Sequence, residues 1–256
     1  MPEVDPKTVL GKIVAILQAF TAEDRAVTLA ELGRRTGFPK GTLHRVVTDL
    51  VAVRLLDHSD RGYRLGGQLF ELGMRASVER GLLDVAIPFM QDLYERTHET
   101  VNLGVREGIE VVYVEKIGGH SQASSPSRIG GRMPLHCTAI GKALLAFSAD
   151  EVFTDRIVAG LHRVTSRTIT APGMLRRQLE RVVESGLAFE YEESATGIVC
   201  VAATVLDPSG QAVAAVSVTG PVSRFRPEAH GTAVRAAADG IAATLARRDV
   251  LYPREG

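Results

Sequence analysis

Cysteine is scarce in this sequence: only Cys137 and Cys200 occur among its 256 residues. The two lie far apart, form no Cys-x-x-Cys pair and have no cluster of histidines beside them. Disulfide frameworks and structural zinc sites need more cysteines, or Cys/His sets at short spacing. The sequence therefore predicts reduced thiols, no bound metal and a cytoplasmic location.

Long apolar runs and net charge are also lacking. No run approaches the roughly 18–20 apolar residues that a membrane-spanning helix needs, so no membrane partner is expected. The first ten residues contain two acids and no apolar core of a signal peptide. The formal net charge is zero, which gives no overall basic signal for nucleic acid. Hydrophobic residues nevertheless make up 45% of the chain, enough for one or two packed domains.

The charge is unevenly distributed along the chain. Residues 28–66 contain seven Lys/Arg against four Asp/Glu, a net charge of +3, which leaves −3 for the remainder. Thr28 and Glu31 have the spacing of a capping box, in which each side chain bonds a free N–H at the helix start. Gly37 suits a left-handed helix end, and Pro39 suits the first position of the next helix. A second helix follows, and its buried stripe is predicted at Leu43, Val46, Val47 and Leu50.

Two short extended pieces, residues 54–57 and 61–65, complete this segment. The order helix, turn, helix, hairpin is that of a winged helix-turn-helix. The second helix of such a fold enters the major groove, while the first crosses the DNA backbone. A helical subdomain with a solvated basic face is the alternative, but the cap, turn and wing occurring in this order favour DNA binding. The candidate DNA-binding residues are Thr28, Arg34, Arg35, Pro39, Lys40, Thr42, His44, Arg45, Arg61 and Arg64.

The rest of the chain mixes strands and helices. Helices are predicted at 66–83, 84–98, 139–147, 149–160, 172–185 and 226–247. Extended stretches are predicted within 97–108 and 109–118, and strands at 187–193, 198–206 and 211–219. Without strict βαβ alternation, this pattern indicates an α/β sandwich with mainly antiparallel strands.

No catalytic motif accompanies these elements. The sequence contains no G-x-S-x-G elbow, no Walker A loop, no G-x-G-x-x-G and no histidines at metal-ligand spacing. An enzyme would have to use Cys200, or Cys137 with His136, and Cys200 lies in an apolar run where a thiol is usually inert. We predict no catalytic residues and no cofactor. A binding pocket is easier to build, because a helix that opens at 138–140 offers free N–H groups to an anion.

The segment LAELGRRTGFPKGTLHRVVTDLVAVRLLDHSDRGYRLG resembles the DNA-binding domain of IclR-type bacterial transcription regulators. Gly41 departs from the family, which usually has Ser or Ala there. GRMPLHCTAIGKALLA, EYEESATGIVCVAATVLDPSG and AAVSVTGP resemble three blocks of the family's effector-binding domain, whose α/β fold is similar to GAF and PAS sensors. The resemblance implies an α+β chain: a winged helix-turn-helix at 6–67, a linker helix at 68–83 and an effector-binding domain at 84–254.

The resemblance also implies a pocket. The backbone of Ala139 and Ile140 would hold a ligand carboxylate, and the side chains that complete the site would be Glu190, Cys200, Ser217 and Thr219. Glu190 stands where Asp is frequent, and Thr219 where Ser is frequent. We expect an effector that is a small organic acid carrying a hydroxyl or similar donor. The other expected partners are double-stranded operator DNA and a second copy of the chain, in dimers that can pair into tetramers.

Two alternatives belong to other classes of protein. One is a hydrolase-like enzyme built on the C-terminal domain. The other is a DNA-binding protein that takes no ligand and fills its pocket with side chains.

Overall fold

The computed structural model describes Asp5 and residues 7–21, 23–73, 80–118 and 126–251, and the chain divides into two compact units, 1–77 and 78–256. The first unit confirms the predicted winged helix-turn-helix. Its elements are α1 (Val9–Gln18), α2 (Leu29–Thr36), α3 (Lys40–Ala52), β1 (Leu56–Ser59), β2 (Gly62–Leu65) and α4 (Gly67–Gly73).

Local signals around the turn explain these boundaries, with two corrections. The Thr28 hydroxyl accepts the N–H of Glu31 at 3.2 Å, so half of the capping box forms. The predicted return bond is wrong, because the Glu31 carboxylate bonds two arginines of its own helix. Gly37 ends α2 with φ +70°, as expected for a left-handed cap. Pro39 is the N-cap of α3 rather than its first helical residue.

The core of the first unit is the predicted stripe of α3 packed against its neighbours. All four stripe residues are buried, together with Leu32 of α2 and Leu56 of the wing. The wing is tied to the start of α2 by a bridge between Val27 and Tyr63, with N–H···O distances of 2.7 and 2.8 Å. The bridge therefore holds the wing against the start of α2, next to the core that α3 completes.

The second unit is built on an antiparallel sheet of order β5-β4-β3-β8-β7-β6. This confirms the predicted antiparallel α/β sandwich. Strand β5 was not predicted, because it has three residues and follows a Gly/Ser-rich loop without alternation. The elements are α5 (Arg80–Thr97), β3 (Thr100–Glu107), β4 (Glu110–Ile117), β5 (Arg132–Pro134), a 3₁₀ turn (Leu135–Cys137), α6 (Ala139–Ala146), α7 (Asp150–Val158), α8 (Pro172–Ser185), β6 (Ala188–Tyr191), β7 (Ile198–Leu206), β8 (Ala212–Pro221) and α9 (Pro227–Leu251).

Helices cover both faces of this sheet. Alternate residues of β7 explain why its sequence is one apolar run: Val199 and Val201 pack in a core with α5 and α9, while Cys200 and Ala202 face a second core with α6 and α8. The face toward α6 carries the polar cluster described below.

Helix α5 begins inside the range predicted for the linker helix. Residues 74–79 of that predicted helix lie outside the described residues. Over the described ranges, no helix combines the length and apolarity needed to cross a bilayer.

Candidate functional site

All six residues predicted for the effector pocket line one cavity on the α6 face of the sheet. Its free volume is about 20 Å³, the space of a single water molecule. An organic acid therefore fits only after lining side chains move apart. The lining residues are Asn102, Tyr113, Pro126, Ser127, Thr138, Ala139, Ile140, Glu190, Ser194, Ile198, Cys200, Ser217 and Thr219.

The start of α6 forms one wall. The Thr138 hydroxyl caps the helix by accepting the N–H of Gly141 at 2.9 Å. The N–H groups of Ala139 and Ile140 have no acceptor among the described residues. These groups and the helix dipole favour a negative charge. A Cβ on Gly141 would lie 2.3 Å from the Leu135 carbonyl oxygen, so glycine is needed for the 3₁₀ turn to pack so closely.

Strands β3 and β8 supply a polar wall that sequence analysis found only in part. The Asn102 amide donates to the Thr219 hydroxyl at 3.3 Å, and the Ser127 hydroxyl donates to the Asn102 carbonyl at 2.9 Å. The Cys200 thiol also donates to Thr219, at 3.1 Å. Asn102 was missed because its position follows from pairing with Ser217 on β8. A polar residue inside an apolar strand was the one available signal.

Glu190 forms a third wall and is fully buried. Its Oε1 accepts the backbone N–H groups of Glu193 at 2.6 Å and Ser194 at 3.0 Å. Its Oε2 has no hydrogen-bond partner within the described chain, and the Cys200 thiol is the side-chain donor that lies beside this carboxyl. Burial raises the pKa of Glu190, and the bond from the Ser194 N–H opposes this shift.

A buried ion pair lies behind Glu190. Lys142 is 1% exposed, and its Nζ donates to Glu193 Oε1 at 2.7 Å and to Gln178 Oε1 at 2.8 Å. Burial raises the pKa of Glu193, and the Lys142 charge opposes the shift. The hydroxyl of Thr168 further holds this turn by donating to the Glu193 carbonyl at 2.7 Å. The pair was missed, although a lysine inside the apolar run AIGKALLA was a visible signal.

The thiols lack the surroundings of a nucleophile. Burial raises the pKa of Cys137 to about 12 and places the pKa of Cys200 well above its ordinary value. His136 Nε2 lies 3.0 Å from the His162 carbonyl, so this ring nitrogen carries the proton. Cys137 lies 3.8 Å from the Pro134 carbonyl rather than against an imidazole. The described residues also contain no group of three His, Cys, Asp or Glu arranged to hold a metal ion.

The first unit presents a separate basic surface at the start of α3. Lys40, His44 and Arg45 are exposed and have no ion-pair partner in the described part of the chain. Thr42 is partly exposed, and Pro39 beside it is exposed. Arg61 at the tip of the wing is exposed as well. This side of α3 therefore carries basic side chains that form no ion pair within the described residues.

The other predicted DNA-binding residues already have partners. Arg34 bonds Glu31, and Arg35 bonds Glu31 and Asp24 and donates to the Ala19 carbonyl at 2.8 Å. These bonds lower the pKa of Glu31 to about 2. Arg35 therefore clamps α2 to the preceding loop.

The two remaining predicted residues are also engaged within the unit. Arg64 pairs with Asp57 across the wing at 3.3 Å. Thr28 is exposed, but its hydroxyl already caps α2. Neither side chain is as free for a new contact as those at the start of α3.

Comparison with known families matches nearly the whole chain. Residues 9–60 match the IclR helix-turn-helix domain. Residues 74–243 match the family described as bacterial transcriptional regulator IclR C-terminal.

Individual relatives match over most of the length of both chains. It is 36% identical to the HTH-type transcriptional regulator KdgR of Escherichia coli (strain K12) over 222 residues, which are 85% of this chain and 83% of that protein. It is 32% identical to the HTH-type transcriptional repressor AllR of Klebsiella pneumoniae over 242 residues, 92% and 89% of the two chains.

A solved structure extends the similarity to the fold. An IclR homolog from Microbacterium hydrocarbonoxydans, complexed with 4-hydroxybenzoate, superimposes with a TM-score of 0.87 at 32% identity. The match covers 94% of this chain and 100% of that one.

Proposed function

The chain belongs to the IclR family of bacterial transcriptional regulators, and from this premise we propose that α3 and the wing bind operator DNA and that a small organic acid in the cavity modulates this binding. Membership settles the class: the chain is a transcriptional regulator with a DNA-binding helix-turn-helix, and not an enzyme, as predicted. The residues that carry each step, the effector and the assembly are proposed here.

The free charges at the start of α3 support the choice of DNA-contacting residues. Lys40, Thr42, His44 and Arg45 are the proposed readers, because they are accessible and the three basic side chains lack internal partners. Arg61 is proposed to reach phosphates or the minor groove. The remaining candidates, Thr28, Arg34, Arg35, Pro39 and Arg64, are proposed to act nearby, with Arg35 chiefly orienting α2.

A fluorescence anisotropy titration tests the DNA-binding step. The probe is a labelled duplex from upstream of the regulator's own gene, titrated at several salt concentrations. Wild-type affinity should fall steeply with salt, because each neutralised phosphate adds about 0.9 to the logarithmic slope. Arg45→Ala should bind about 5- to 150-fold more weakly, since a good contact is worth about 1–3 kcal/mol. Arg177→Ala, an exposed position on α8, is the matched control and should bind like wild type.

Two results would count against this assignment. The first is wild-type protein that does not bind the duplex at low salt. The second is an equal loss of affinity in the Arg45 and Arg177 variants, which would indicate a general charge effect rather than contact by α3.

The single observation that supports the effector role is the cavity wall itself. Free N–H groups of Ala139 and Ile140, the hydroxyls of Ser217 and Thr219, and the unpartnered Glu190 oxygen meet around one space. Cys200 is proposed as a wall residue only. The structurally similar IclR homolog from Microbacterium hydrocarbonoxydans was solved with 4-hydroxybenzoate, a hydroxy acid, which supports the same ligand class.

The cavity volume does not by itself separate a ligand-binding protein from one that takes no ligand. The buried polar groups without partners favour a ligand, because leaving them so costs about 1–3 kcal/mol each. Adding 4-hydroxybenzoate or a small hydroxy acid should change operator affinity by about 5- to 150-fold. Ser217→Ala should reduce this change without altering DNA affinity in the absence of acid. Operator affinity that no acid alters would refute the effector role.

The proposed oligomeric state is argued from the length of DNA that one winged helix can read. One winged helix reads too few base pairs for useful specificity, so we propose a dimer on a (pseudo)palindromic operator, with dimers able to pair into tetramers. The proposed division is a DNA-binding domain at 6–67, a linker helix at 68–83 and an effector-binding domain at 84–254, working in the cytoplasm. Sedimentation of the protein with and without operator would measure the stoichiometry.

A further inference from the structure

Two walls of the cavity favour ligand groups of different kinds. The wall made by α6 offers the N–H groups of Ala139 and Ile140, which favour an anion. The wall made by β6 offers the Glu190 carboxyl, whose Oε2 is buried and has no partner. An acceptor in this state is completed by a ligand that brings a hydrogen-bond donor.

No cation near Glu190 is available to balance a further negative charge. Lys142 is the nearby base, and its Nζ already bonds Glu193 and Gln178. The titratable groups that face Glu190 are the Glu193 carboxyl, the Cys200 and Cys137 thiols, the Tyr113 hydroxyl and, through Glu193, the Lys142 ammonium. The thiols and the phenol have raised pKa values and stay neutral, so among these groups only Lys142, which is already paired with Glu193, carries a positive charge.

We propose that Glu190 sorts ligands by charge, so that the cavity binds monocarboxylates whose second polar group is a hydrogen-bond donor and excludes dicarboxylates. This inference rests on the proposed effector role of the cavity. A hydroxyl or ammonium group supplies the hydrogen that Oε2 lacks. A second carboxylate supplies none, and beside the Glu190 and Glu193 carboxyls, with Lys142 already paired, its charge has no counter-ion in a site of low dielectric.

Matched pairs of acids test the selection. In each pair, the second acid has a carboxylate where the first has a CH₂OH group, and the number of carbons is the same. The pairs are glycolate with oxalate, 3-hydroxypropionate with malonate, and 4-hydroxybutyrate with succinate. Binding to the full-length protein is measured by calorimetry and thermal shift at pH 7, with acids up to 20 mM. The hydroxy acid of a binding pair should bind at least about tenfold more tightly, because juxtaposed like charges cost several kcal/mol.

Glu190→Gln is the informative variant. The amide oxygen can keep the two N–H bonds of Oε1, while the amide nitrogen replaces the unpartnered acceptor with a donor. The preference for the hydroxy acid should then fall at least tenfold or reverse. Glu190→Asp keeps the charge and should keep the preference, which provides a second test if the glutamine variant does not fold. Glu180→Gln, exposed on α8, is the control and should behave as wild type.

Each outcome decides a different question. Equal binding of both members of the pairs to wild type overturns charge selection. A preference that persists in Glu190→Gln, or disappears in Glu190→Asp, overturns the role of Glu190. If none of the six acids binds to wild type or to Glu190→Gln, both this inference and the effector half of the proposed function are wrong. Operator binding by the same preparation then shows whether the DNA-binding half is correct.

Discussion

Replacing Lys142 with methionine should destabilise the second unit strongly. Lys142 is 1% exposed and holds Glu193 at 2.7 Å, so the change leaves a 4% exposed carboxylate without its cation. Breaking one partner of a buried pair costs about 3–5 kcal/mol, and Gln178 also loses its donor. Methionine has a similar shape, so a cavity contributes little.

The loss should depend on pH in a defined direction. Burial already raises the pKa of Glu193, and without Lys142 only a backbone hydrogen bond at Tyr191 opposes that shift. A carboxyl whose folded pKa is raised adds stability below its unfolded pKa and loses it as pH rises through the folded value. The destabilisation should therefore be larger at pH 8 than at pH 5, growing by up to about 1.4 kcal/mol per pH unit.

Hydrogen-exchange mass spectrometry of the β7 and β8 peptides measures this effect. If these central strands exchange through unfolding of the unit, a loss of 3–5 kcal/mol speeds exchange roughly 100- to 4,000-fold. The double variant Lys142→Met/Glu193→Gln should recover most of the loss, and the exposed Arg177→Met should show none. Exchange that is less than about tenfold faster at pH 8, or equally affected at pH 5, would refute a charged, mutually dependent pair.

Three further substitutions or probes test other parts of the structure. Gly62→Ala should destabilise the first unit by about 2–3 kcal/mol in a urea melt, because its φ is +125° and a Cβ would lie 2.5 Å from the Val27 carbonyl oxygen. Gly41→Ala should stabilise α3 by about 0.5–1 kcal/mol, since no atom lies within 4 Å of a Cβ there; a loss of stability would contradict this. Ellman's reagent should modify Cys137 and Cys200 at least about 100-fold more slowly in native protein than in urea, and rapid native reaction would show that the thiols are not buried.

The winged helix-turn-helix was predictable because its signals act over a few residues. The Thr28 cap, the left-handed Gly37 and the spacing of the α3 stripe each specify backbone geometry within one or two turns, and all three are present in the structure. Only half of the predicted capping box forms, because Arg34 and Arg35 compete for the Glu31 carboxylate. Sequence spacing does not rank such competitors.

The second unit shows more clearly which features cannot be predicted from sequence signals. Its strands were recognisable from apolar alternation and turn residues, and β7 matches its predicted bounds. The short β5 has too few residues for a period and is recognisable only by its pairing with β4. The six pocket residues were found through resemblance to a family, and neither composition nor spacing would have grouped them.

The sequence alone therefore determined the local elements, the basic start of α3 and the absence of catalytic motifs. Tertiary structure decided which distant groups meet: Asn102 with Ser217 and Thr219, and Lys142 with Glu193 behind Glu190. Caps and periodicity are properties of neighbouring residues, whereas strand register and buried pairing depend on how whole layers pack. The charge environment of the cavity, with its unpartnered carboxyl oxygen, exists only after that packing has formed.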